Sequence, residues 1–419
     1  HLSYFDGNLY KPSQLQSCYK LTSQLHRPRM KICIIGGGVS GWWCAAYMNK
    51  FLDAKITLIE SNDIPILGVG ESSLPQIKTF FDAIGVEESE WMEKCNAVYK
   101  YGNIKTGWDK VDGKPFTFSF WHDDDNKFKK WYQQNKTKHQ LNELYSKGEW
   151  GSIAYHLDAE KANTIMKNHC GNITHKVETL SELPKGYDLY VDCTGFSRKF
   201  IKDKSETIFD DHLVDSAWVC PYEQTDKIEN FTKSIAREYG WQFVIDLTNK
   251  IGNGYVFSSQ HISYNDALEQ FKQYNSHLTP IGQPRLLKWK PNILTNAWSD
   301  DVVAIGNSCG FIDPLEANAL YMTVYGITSL VDCLLKNKSQ DVYNRNMRRI
   351  WKGNSDFILH HYKLSSRTDT EFWKYYSQFD VRKSLWDNYH NKKNKKTNLF
   401  SNAIWATLGV YFNEFTYYG

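Results

Sequence analysis

The feature that most constrains this chain is the glycine-rich stretch 36–41 (GGGVSG), which directly follows the apolar run 31–35 (KICII). Residues 42–51 have a helical pattern, and a second β-branched run, 56–59 (ITLI), ends at Glu60. A strand, a glycine turn, a helix and a second strand closed by an acidic residue are the parts of a dinucleotide-binding βαβ unit. The sequence therefore predicts an α/β fold that contains a Rossmann-like unit.

Each glycine of the G-x-G-x-x-G pattern has a separate task. Gly36 permits the tight turn, Gly38 lets the backbone approach a pyrophosphate, and Gly41 lets the helix pack closely on the strand. Free N–H groups at the helix start would hold the phosphate charge, and Glu60 would accept hydrogen bonds from a ribose. A structural turn without nucleotide is the alternative. The cofactor residues predicted in this unit are Gly36, Gly38, Val39, Ser40, Gly41 and Glu60.

The turn alone does not distinguish FAD from NAD, but two later segments favour FAD. Residues 191–195 (VDCTG) resemble the strand and turn that flavoproteins of the hydroxylase class place near the adenosine. Residues 304–308 (AIGNS) resemble the segment that those proteins place at the ribityl chain and flavin ring. Three matches in the expected order predict a hydroxylase-type FAD domain. The cofactor residues predicted in these segments are Gly195, Gly306 and Asn307, together with Pro314, which follows the second segment.

The composition argues against several other classes of protein. The 419 residues carry a net charge of +3, which is too small to indicate a nucleic-acid partner. Apolar residues make up 41% of the chain, and we expect no stretch to span a membrane. The nine cysteines form no C-x-x-C pair, and no histidine spacing suits zinc, so the sequence predicts a cytoplasmic protein without a bound metal.

A run of short motifs carries a specific family resemblance. Residues 68–75 (GVGESSLP) are followed by 80–85 (FFDAIG), 90–92 (EWM) and 95–100 (CNAVYK). In content and spacing this run resembles the flavin-dependent tryptophan halogenases. The resemblance spans roughly residues 30–376. It continues in 192–196 (DCTGF), 211–213 (DHL), 254–259 (GYVFSS), 311–316 (FIDPLE), 367–370 (RTDT) and 372–373 (FW).

The resemblance implies a two-component FAD-dependent halogenase that receives reduced FAD from a separate reductase. In that family reduced FAD and O2 give a flavin C4a-hydroperoxide, which halide attacks to form hypohalous acid. A lysine carries this oxidant to the substrate, and a glutamate polarises the halogen species or takes the proton that leaves the ring. The matching residues are Lys100 and Glu316, and the resemblance adds Gly70, Glu71 and Ser72 to the cofactor site. A buried lysine has a lowered pKa, which suits this task.

The halide segment departs from the family. Members usually read Ser-Thr-Gly after the glutamate, whereas this chain has Ala317, Asn318 and Ala319. Backbone N–H groups of the last two residues hold the halide in the family, so the resemblance implies a halide site at Asn318 and Ala319. Alanine adopts a positive φ less readily than glycine, so a need for that conformation at residue 319 would reshape the site. We also expect Asn318 to add a side-chain amide donor to the halide site. A reshaped site would favour a larger anion such as bromide or iodide.

The substrate end diverges further. The family motif W-x-W-x-I-P is here 241–246 (WQFVID), and its His-x-Phe pair matches 118–120 (FSF). A tyrosine pair that binds the amino acid backbone in the family is missing from 401–405 (SNAIW). We therefore expect a small electron-rich aromatic substrate other than free tryptophan. The predicted pocket residues are Phe118, Phe120, Trp241 and Phe243.

The predicted domains are discontinuous. Later strands of the α/β domain are predicted at 189–192, 255–258 and 302–305. Two other functions stay open from the sequence, namely a flavin-dependent aromatic hydroxylase and an FAD-binding protein without catalysis. The predicted parts are an extension outside the fold at 1–29, an FAD domain at 30–110 and 150–345, and a smaller, largely helical module covering the substrate at 111–149 and 346–419.

Overall fold

The computed structural model describes residues 29–62, 70–108, 115–119 and 153–379 of the chain. Within these residues it contains nineteen strands and eight helices, which we number β1–β19 and α1–α8 in chain order. The predictions made for residues 1–28, 120–149 and 401–405 lie outside the described residues.

The bounds of these elements are as follows. The helices are α1 (Val39–Phe51), α2 (Gln76–Ile84), α3 (Glu88–Lys94), α4 (Ala159–His169), α5 (Tyr264–Tyr274), α6 (Asn318–Leu335), α7 (Gln340–Leu364) and α8 (Glu371–Gln378). The strands are β1 (Met30–Ile35), β2 (Ala54–Glu60), β3 (Glu71–Ser72), β4 (Val98–Lys100), β5 (Gly102–Thr106), β6 (Phe116–Ser119), β7 (Ala154–Leu157), β8 (Thr174–Val177), β9 (Leu189–Asp192), β10 (Glu206–Ile208), β11 (Ser216–Glu223), β12 (Phe231–Arg237), β13 (Gly240–Asp246), β14 (Lys250–Phe257), β15 (Arg285–Lys288), β16 (Asn292–Leu294), β17 (Trp298–Ser299), β18 (Val302–Ala304) and β19 (Gly310–Phe311).

The first sheet has six strands in the order β17-β18-β9-β1-β2-β8. Its strands run parallel except for β17, which pairs antiparallel with β18 at one edge. Residues 32–35 of the central strand β1 are all buried, as expected for a parallel strand covered on both faces. The α/β fold with a Rossmann-like unit is therefore confirmed.

Helix α1 fixes the glycine turn against the first sheet. Nine of its 13 residues are buried, because the helix lies inside the core and is apolar on nearly every side. Trp43 packs on Phe80 and Phe81 of α2, with ring centroids 5.7 and 5.2 Å apart. The turn that precedes α1 is thus held by a rigid helix.

A second sheet has seven strands in the order β15-β11-β14-β13-β12-β5-β6. Its neighbouring strands are antiparallel except for β12 and β5. We did not predict this sheet, and residues 255–257, assigned to the α/β sheet from sequence, lie in its strand β14. Strand β12 alternates regularly, but its buried positions include Thr232 and Ser234, so an apolar pattern is missing.

A small third sheet, β3-β7-β4, joins two sequence motifs. Ser72 of β3 and Val98 of β4 both pair with His156 of β7. This sheet therefore brings residues 70–72 close to Lys100 at the end of β4, although almost thirty residues separate them along the chain.

The three C-terminal described helices connect the two main cores. Met347 and Trp351 of α7 belong to the core around the first sheet, whereas Ile358 and Tyr362 belong to the core against the second sheet. The domain boundary predicted between 345 and 346 falls inside α7, so one helix runs through both predicted parts.

Residues Leu315–Leu335, which include α6, are long and apolar enough to cross a membrane by length and composition. The sequence analysis expected no such stretch. In the structure 67% of an 18-residue window of this segment is buried, and α6 packs in the same core as α1. Its apolar character is therefore that of a core helix.

Candidate active site

A cavity of about 340 Å³ is walled by turns of the first sheet and by one face of the second sheet. The structure thereby brings most of the predicted cofactor, substrate and catalytic residues together. Predicted residues in the wall are Gly38, Val39, Ser40, Gly70, Glu71, Ser72, Gly195, Trp241, Phe243, Asn307, Pro314, Glu316 and Ala319. Predicted residues that are described but do not line this cavity include Gly36, Gly41, Glu60, Lys100, Gly306 and Asn318.

The glycines of the turn differ in what surrounds them. Gly36 has φ +118°, and a Cβ there would lie 2.3 Å from the carbonyl oxygen of Cys193. A Cβ at Gly41 would lie 1.8 Å from the Gly36 oxygen, so both positions need glycine for close backbone packing. At Gly38 a Cβ would meet nothing within 4 Å, and this glycine lines the cavity. The turn therefore leaves open space where a pyrophosphate would approach the backbone.

Glu60 lies at the end of β2 beside this turn, as predicted. Its Oε2 accepts a hydrogen bond from Trp42 Nε1 at 3.2 Å, and its Oε1 lies 2.7 Å from His175 Nε2. A Cβ at Gly37 would overlap the carboxylate, so the acid packs directly on the turn. Its role as a ribose acceptor stays a prediction.

Asp192 shapes the second cofactor segment. Its carboxylate accepts hydrogen bonds from the backbone N–H groups of Thr194, Phe200 and Ile201. These bonds hold the turn after β9 open, and Gly195 at its tip has φ +65° and lines the cavity. Sequence analysis included Asp192 only as part of a motif and missed this structural role.

The third cofactor segment packs against the first. Gly306 has φ +67°, and a Cβ there would lie 1.9 Å from Ser40 Oγ. The next residue, Asn307, lines the cavity. Three turns with tight internal packing thus surround one open space, which fits a dinucleotide such as FAD.

Lys100 is a fully buried amine at the end of β4. Its Nζ donates to Ser72 Oγ at 2.8 Å and to the Ser73 carbonyl oxygen at 3.1 Å. Burial lowers the pKa of Lys100 to about 7, with Glu316 opposing the shift and Lys105 adding to it. The amine therefore titrates near neutral pH.

A chain of hydrogen bonds leads from Lys100 to His156. Ser72 Oγ lies 2.8 Å from Thr232 Oγ1, which lies 2.8 Å from His156 Nε2. His156 Nδ1 faces the carbonyl oxygen of Asp246 at 3.0 Å and must donate to it, so Nε2 accepts from Thr232. Thr232 then accepts from Ser72, and Ser72 accepts from Lys100. Burial, and to a smaller extent the charge of Lys100, lowers the pKa of His156 to about 3. The ring is therefore neutral near neutral pH, and the donor and acceptor roles along this chain are fixed.

Glu316 is buried and is held on both carboxylate oxygens. Asn103 Nδ2 donates to Oε2 at 2.8 Å, while Lys105 Nζ donates to Oε1. His361 Nε2 lies 3.3 Å from the same Oε1. Burial alone would raise the pKa of Glu316, but Lys105 and His361 outweigh this and hold the pKa well below its ordinary value. Glu316 is therefore an ionised group in the cavity wall.

The backbone of the halide segment is left-handed at two positions, and neither of them is residue 319. Glu316 has φ +66° and Ala317 has φ +55°, both in the left-handed region. Ala319 lies in the first turn of α6 and has no positive φ. Consecutive left-handed residues without glycine are strained and are typical of functional sites.

The side-chain amide of Asn318 does not act as the halide donor that we predicted. Its Nδ2 donates to the Leu315 carbonyl oxygen at 2.8 Å and to the Asp313 carbonyl oxygen at 3.4 Å. The expectation of an extra amide donor for halide is therefore wrong. Any halide at this segment would depend on backbone N–H groups at the start of α6, which have no partner within the helix.

Aromatic side chains form part of the wall as predicted, with additions. Trp241 and Phe243 of β13 both line the cavity, so neither is purely a core residue. Sequence analysis missed Phe311 and Trp289, whose rings meet edge to face at 5.3 Å and also line the cavity. Phe118 lies in β6 opposite Asn103, and Phe120 lies outside the described residues.

The partners of the two predicted catalytic residues were also missed. Asn103 and Lys105 alternate along β5 just after Lys100, a period-two signal that was available in the sequence. His361 had no such signal, because nothing local links it to Glu316. Thr232 and His156 had no sequence signal at all.

The parallel sheet with its glycine turn, joined to a second sheet across a shared cavity, has the architecture of an FAD-binding flavoprotein with a Rossmann-like unit. A family model described as tryptophan halogenase matches residues 31–168 and 131–412. The chain belongs to the tryptophan halogenase family, which confirms the resemblance and the predicted enzyme class.

Individual relatives agree with this assignment. Tryptophan 7-halogenase RebH from Lentzea aerocolonigenes is 30% identical, over 82% of this chain and 78% of its own. The flavin-dependent halogenase BrvH from Brevundimonas sp. BAL3 is 25% identical and superposes with a TM-score of 0.80, covering 92% of this chain and 91% of its own. Xcc4156, a flavin-dependent halogenase from Xanthomonas campestris, shares the fold with a TM-score of 0.81 at 23% identity, covering 93% and 90%.

Proposed function

We propose that this protein is a cytoplasmic FAD-dependent halogenase that acts on a small, electron-rich aromatic molecule other than free tryptophan. The observation that carries the proposal is one cavity lined by Gly38 of the glycine turn, by Glu316 and by Ser72, the acceptor of the Lys100 hydrogen bond. A separate reductase would deliver reduced FAD, and reduced FAD, O2 and halide together would give the hypohalous oxidant. The residues of the chain then hold and direct that oxidant.

Lys100 is proposed to carry the oxidant to the substrate. Since its pKa is about 7, much of the amine is uncharged near neutral pH. An uncharged amine can take halogen from hypohalous acid, forming an N–halogen bond while the amine proton and hydroxide leave as water. In its charged form Lys100 would instead hold hypohalous acid by a hydrogen bond. Two amine protons are directed at Ser72 and Ser73, which fixes the orientation of Nζ in either case.

Glu316 is proposed to act mainly through its negative charge. A carboxylate whose pKa lies below its ordinary value is a weak base, so accepting the proton from the ring is its less effective role. The same charge, buried in the cavity wall, stabilises positive charge that develops on the halogen or on the attacked ring. Left-handed backbone at Glu316 and Ala317 turns the side chain into this position.

The halide is proposed to bind at the backbone N–H groups of Asn318 and Ala319. These groups begin α6, where N–H groups lack intrahelical partners and the helix dipole favours an anion. Ala319 also lines the cavity. The small Ala317 leaves side-chain space beside this site, which is compatible with bromide or iodide.

The substrate is proposed to bind against Trp241 and Phe243, with Phe118 and Phe120 completing the pocket. Aromatic walls bind flat rings through stacking and burial. The missing tyrosine pair at 401–405 removes the polar contacts that would select an amino acid.

An assay of the full chain tests this function. The protein is incubated with reduced FAD, O2, each halide in turn and a panel of phenols and indoles, and products are read by mass spectrometry. We expect a halogenated phenol or indole and little product from free tryptophan. Flavin oxidation without halogenation of any panel member, or hydroxylated products alone, would contradict the proposal.

A further inference from the structure

Strand β5 carries two donors that both end on Glu316. Asn103 and Lys105 are two residues apart, so their side chains lie on the same face of the sheet. The Asn103 amide donates to Oε2 of Glu316 at 2.8 Å, and the Lys105 ammonium donates to Oε1. Asn103 and Glu316 both line the cavity. Oε2 is thus the carboxylate oxygen bonded to a cavity-lining side chain, and Oε1 is the oxygen paired with the cation.

The Lys105 side chain is 0% exposed and that of Glu316 is 3% exposed. A buried ammonium is costly unless a buried counter-charge and hydrogen bonds compensate it. Lys105 Nζ also lies 5.3 Å from the ring centroid of Trp108, whose face attracts a cation. The environment of Lys105 is therefore arranged for a charged side chain that serves Glu316.

The other ionisable groups that face Glu316 do not replace Lys105. His361, from α7, places Nε2 3.3 Å from Oε1 of Glu316, but burial, then Lys105, lowers the pKa of His361, so this ring does not carry a permanent positive charge beside the carboxylate. Lys100, from β4, interacts electrostatically with Glu316 and donates hydrogen bonds to Ser72 and Ser73. Asp313, in the same loop as Glu316, accepts from Tyr362, and burial raises its pKa to about 6, so it supplies no positive charge in either protonation state.

We propose that Lys105 is a positioning residue that keeps Glu316 ionised in a dry site and directs its Oε2 to the cavity. The inference deepens the proposed function, on which it rests, because it assigns Glu316 an electrostatic role and names the group that enforces it. Lys105 itself touches neither cofactor nor substrate in this account.

Removal of the Lys105 charge should change the pH at which Glu316 works. A buried carboxylate without a cation takes up a proton near neutral pH, because desolvation disfavours its charged form. In Lys105→Met we expect halogenation at about pH 6 to fall roughly 100-fold relative to wild type and to recover largely by about pH 9. Lys105→Arg keeps the charge and should stay within about tenfold at both pH values.

The test uses the full chain and a matched control. Halogenation and flavin oxidation are measured against pH for wild type, Lys105→Met, Lys105→Arg and Lys78→Met, which removes an exposed lysine paired with Asp82 on α2. In parallel, infrared difference spectra follow the carbonyl stretch of a protonated carboxyl, assigned to Glu316 by its loss in Lys105→Met combined with Glu316→Gln. Lys105→Gln, which keeps a donor without charge, replaces Lys105→Met if that variant does not fold.

The expected result is an upward shift of the acidic limb in Lys105→Met together with a protonated Glu316 band at neutral pH, and neither change in Lys78→Met. An equal loss of halogenation at every pH, with no protonated band, would overturn the inference and leave Lys105 a purely structural residue. Wild-type protein that oxidises flavin but halogenates nothing would overturn the proposed function, whereas the infrared band decides separately whether Lys105 controls Glu316.

Discussion

Ser72 Oγ accepts a hydrogen bond of 2.8 Å from Lys100 Nζ, and Ser72 also forms part of the cavity wall. The buried amine and the cavity therefore meet at one hydroxyl group. That hydroxyl donates in turn to Thr232, whose own proton is fixed by His156. The orientation of the Lys100 amine is thus set by residues from three separate strands.

Ser72→Ala should impair oxidant transfer. The substitution removes one acceptor of the Lys100 amine and the link to Thr232, so the amine is less well oriented. A hydrogen bond of about 1 kcal/mol corresponds to a five- to tenfold lower halogenation rate. Product formation and FAD affinity are measured together, with the exposed Ser276→Ala as control. Unchanged halogenation in Ser72→Ala would show that this orientation is unimportant.

The pH profile of halogenation should reveal which form of Lys100 works. Its pKa is about 7, so the uncharged amine predominates above that pH and the ammonium below it. A haloamine mechanism predicts a rate that rises as pH increases through about 7, because only the uncharged amine can take the halogen. A rate that falls through the same range indicates that the ammonium holds hypohalous acid by a hydrogen bond. Pre-steady-state halogenation with bound reduced flavin gives the measurement.

Two glycines of the same turn should respond in opposite ways to alanine. In Gly38→Ala the added Cβ meets nothing within 4 Å, so we expect a stability loss below about 1 kcal/mol but at least a tenfold loss of FAD affinity. In Gly36→Ala the Cβ overlaps Cys193 and φ is +118°, so unfolding free energy should fall by about 2 kcal/mol or more. Thermal unfolding of the apo-protein and flavin titration separate the two effects. Equal FAD affinity in Gly38→Ala and wild type would contradict binding at this turn.

The stability cost of Lys105→Met should depend on pH. In the wild type the pKa of Glu316 is lowered, so the ionised carboxylate stabilises the folded state at neutral pH, and this stabilisation is lost only in strong acid. Without Lys105 the folded-state pKa rises above the unfolded value, so the penalty is absent in acid and grows as pH increases. We expect a cost of about 3–5 kcal/mol near pH 8 that shrinks towards pH 5 and is relieved by adding Glu316→Gln. A pH-independent cost in denaturant unfolding would contradict this assignment of charge.

Local patterns in the sequence were sufficient for the parts of the site that lie close together along the chain. The glycine turn, the end of β2 and α1 follow from a short run of residues whose spacing has one structural meaning. Family motifs then placed Lys100 and Glu316 in one site, although the sequence did not reveal what each of them contacts.

The remainder depends on contacts between distant segments. Lys105 and Glu316 are 211 positions apart, so their ion pair has no local signal. Strand β12 buries Thr232, which belongs to the polar chain from Lys100 to His156, and Ser234, which lines the cavity. The second sheet was missed because these buried positions are not apolar. The left-handed backbone at Glu316 and Ala317 was also unexpected, because neither residue type favours it.

The most direct test of the central claim is the ratio of halogenated product to oxidised flavin in Lys100→Ala. The variant is supplied with reduced FAD, O2, halide and the best aromatic substrate of the wild type. If Lys100 transfers the oxidant, halogenation is abolished while flavin oxidation continues at the wild-type rate. Halogenation that persists in Lys100→Ala at the wild-type ratio would mean that free hypohalous acid reaches the substrate without this amine, and the account would be wrong.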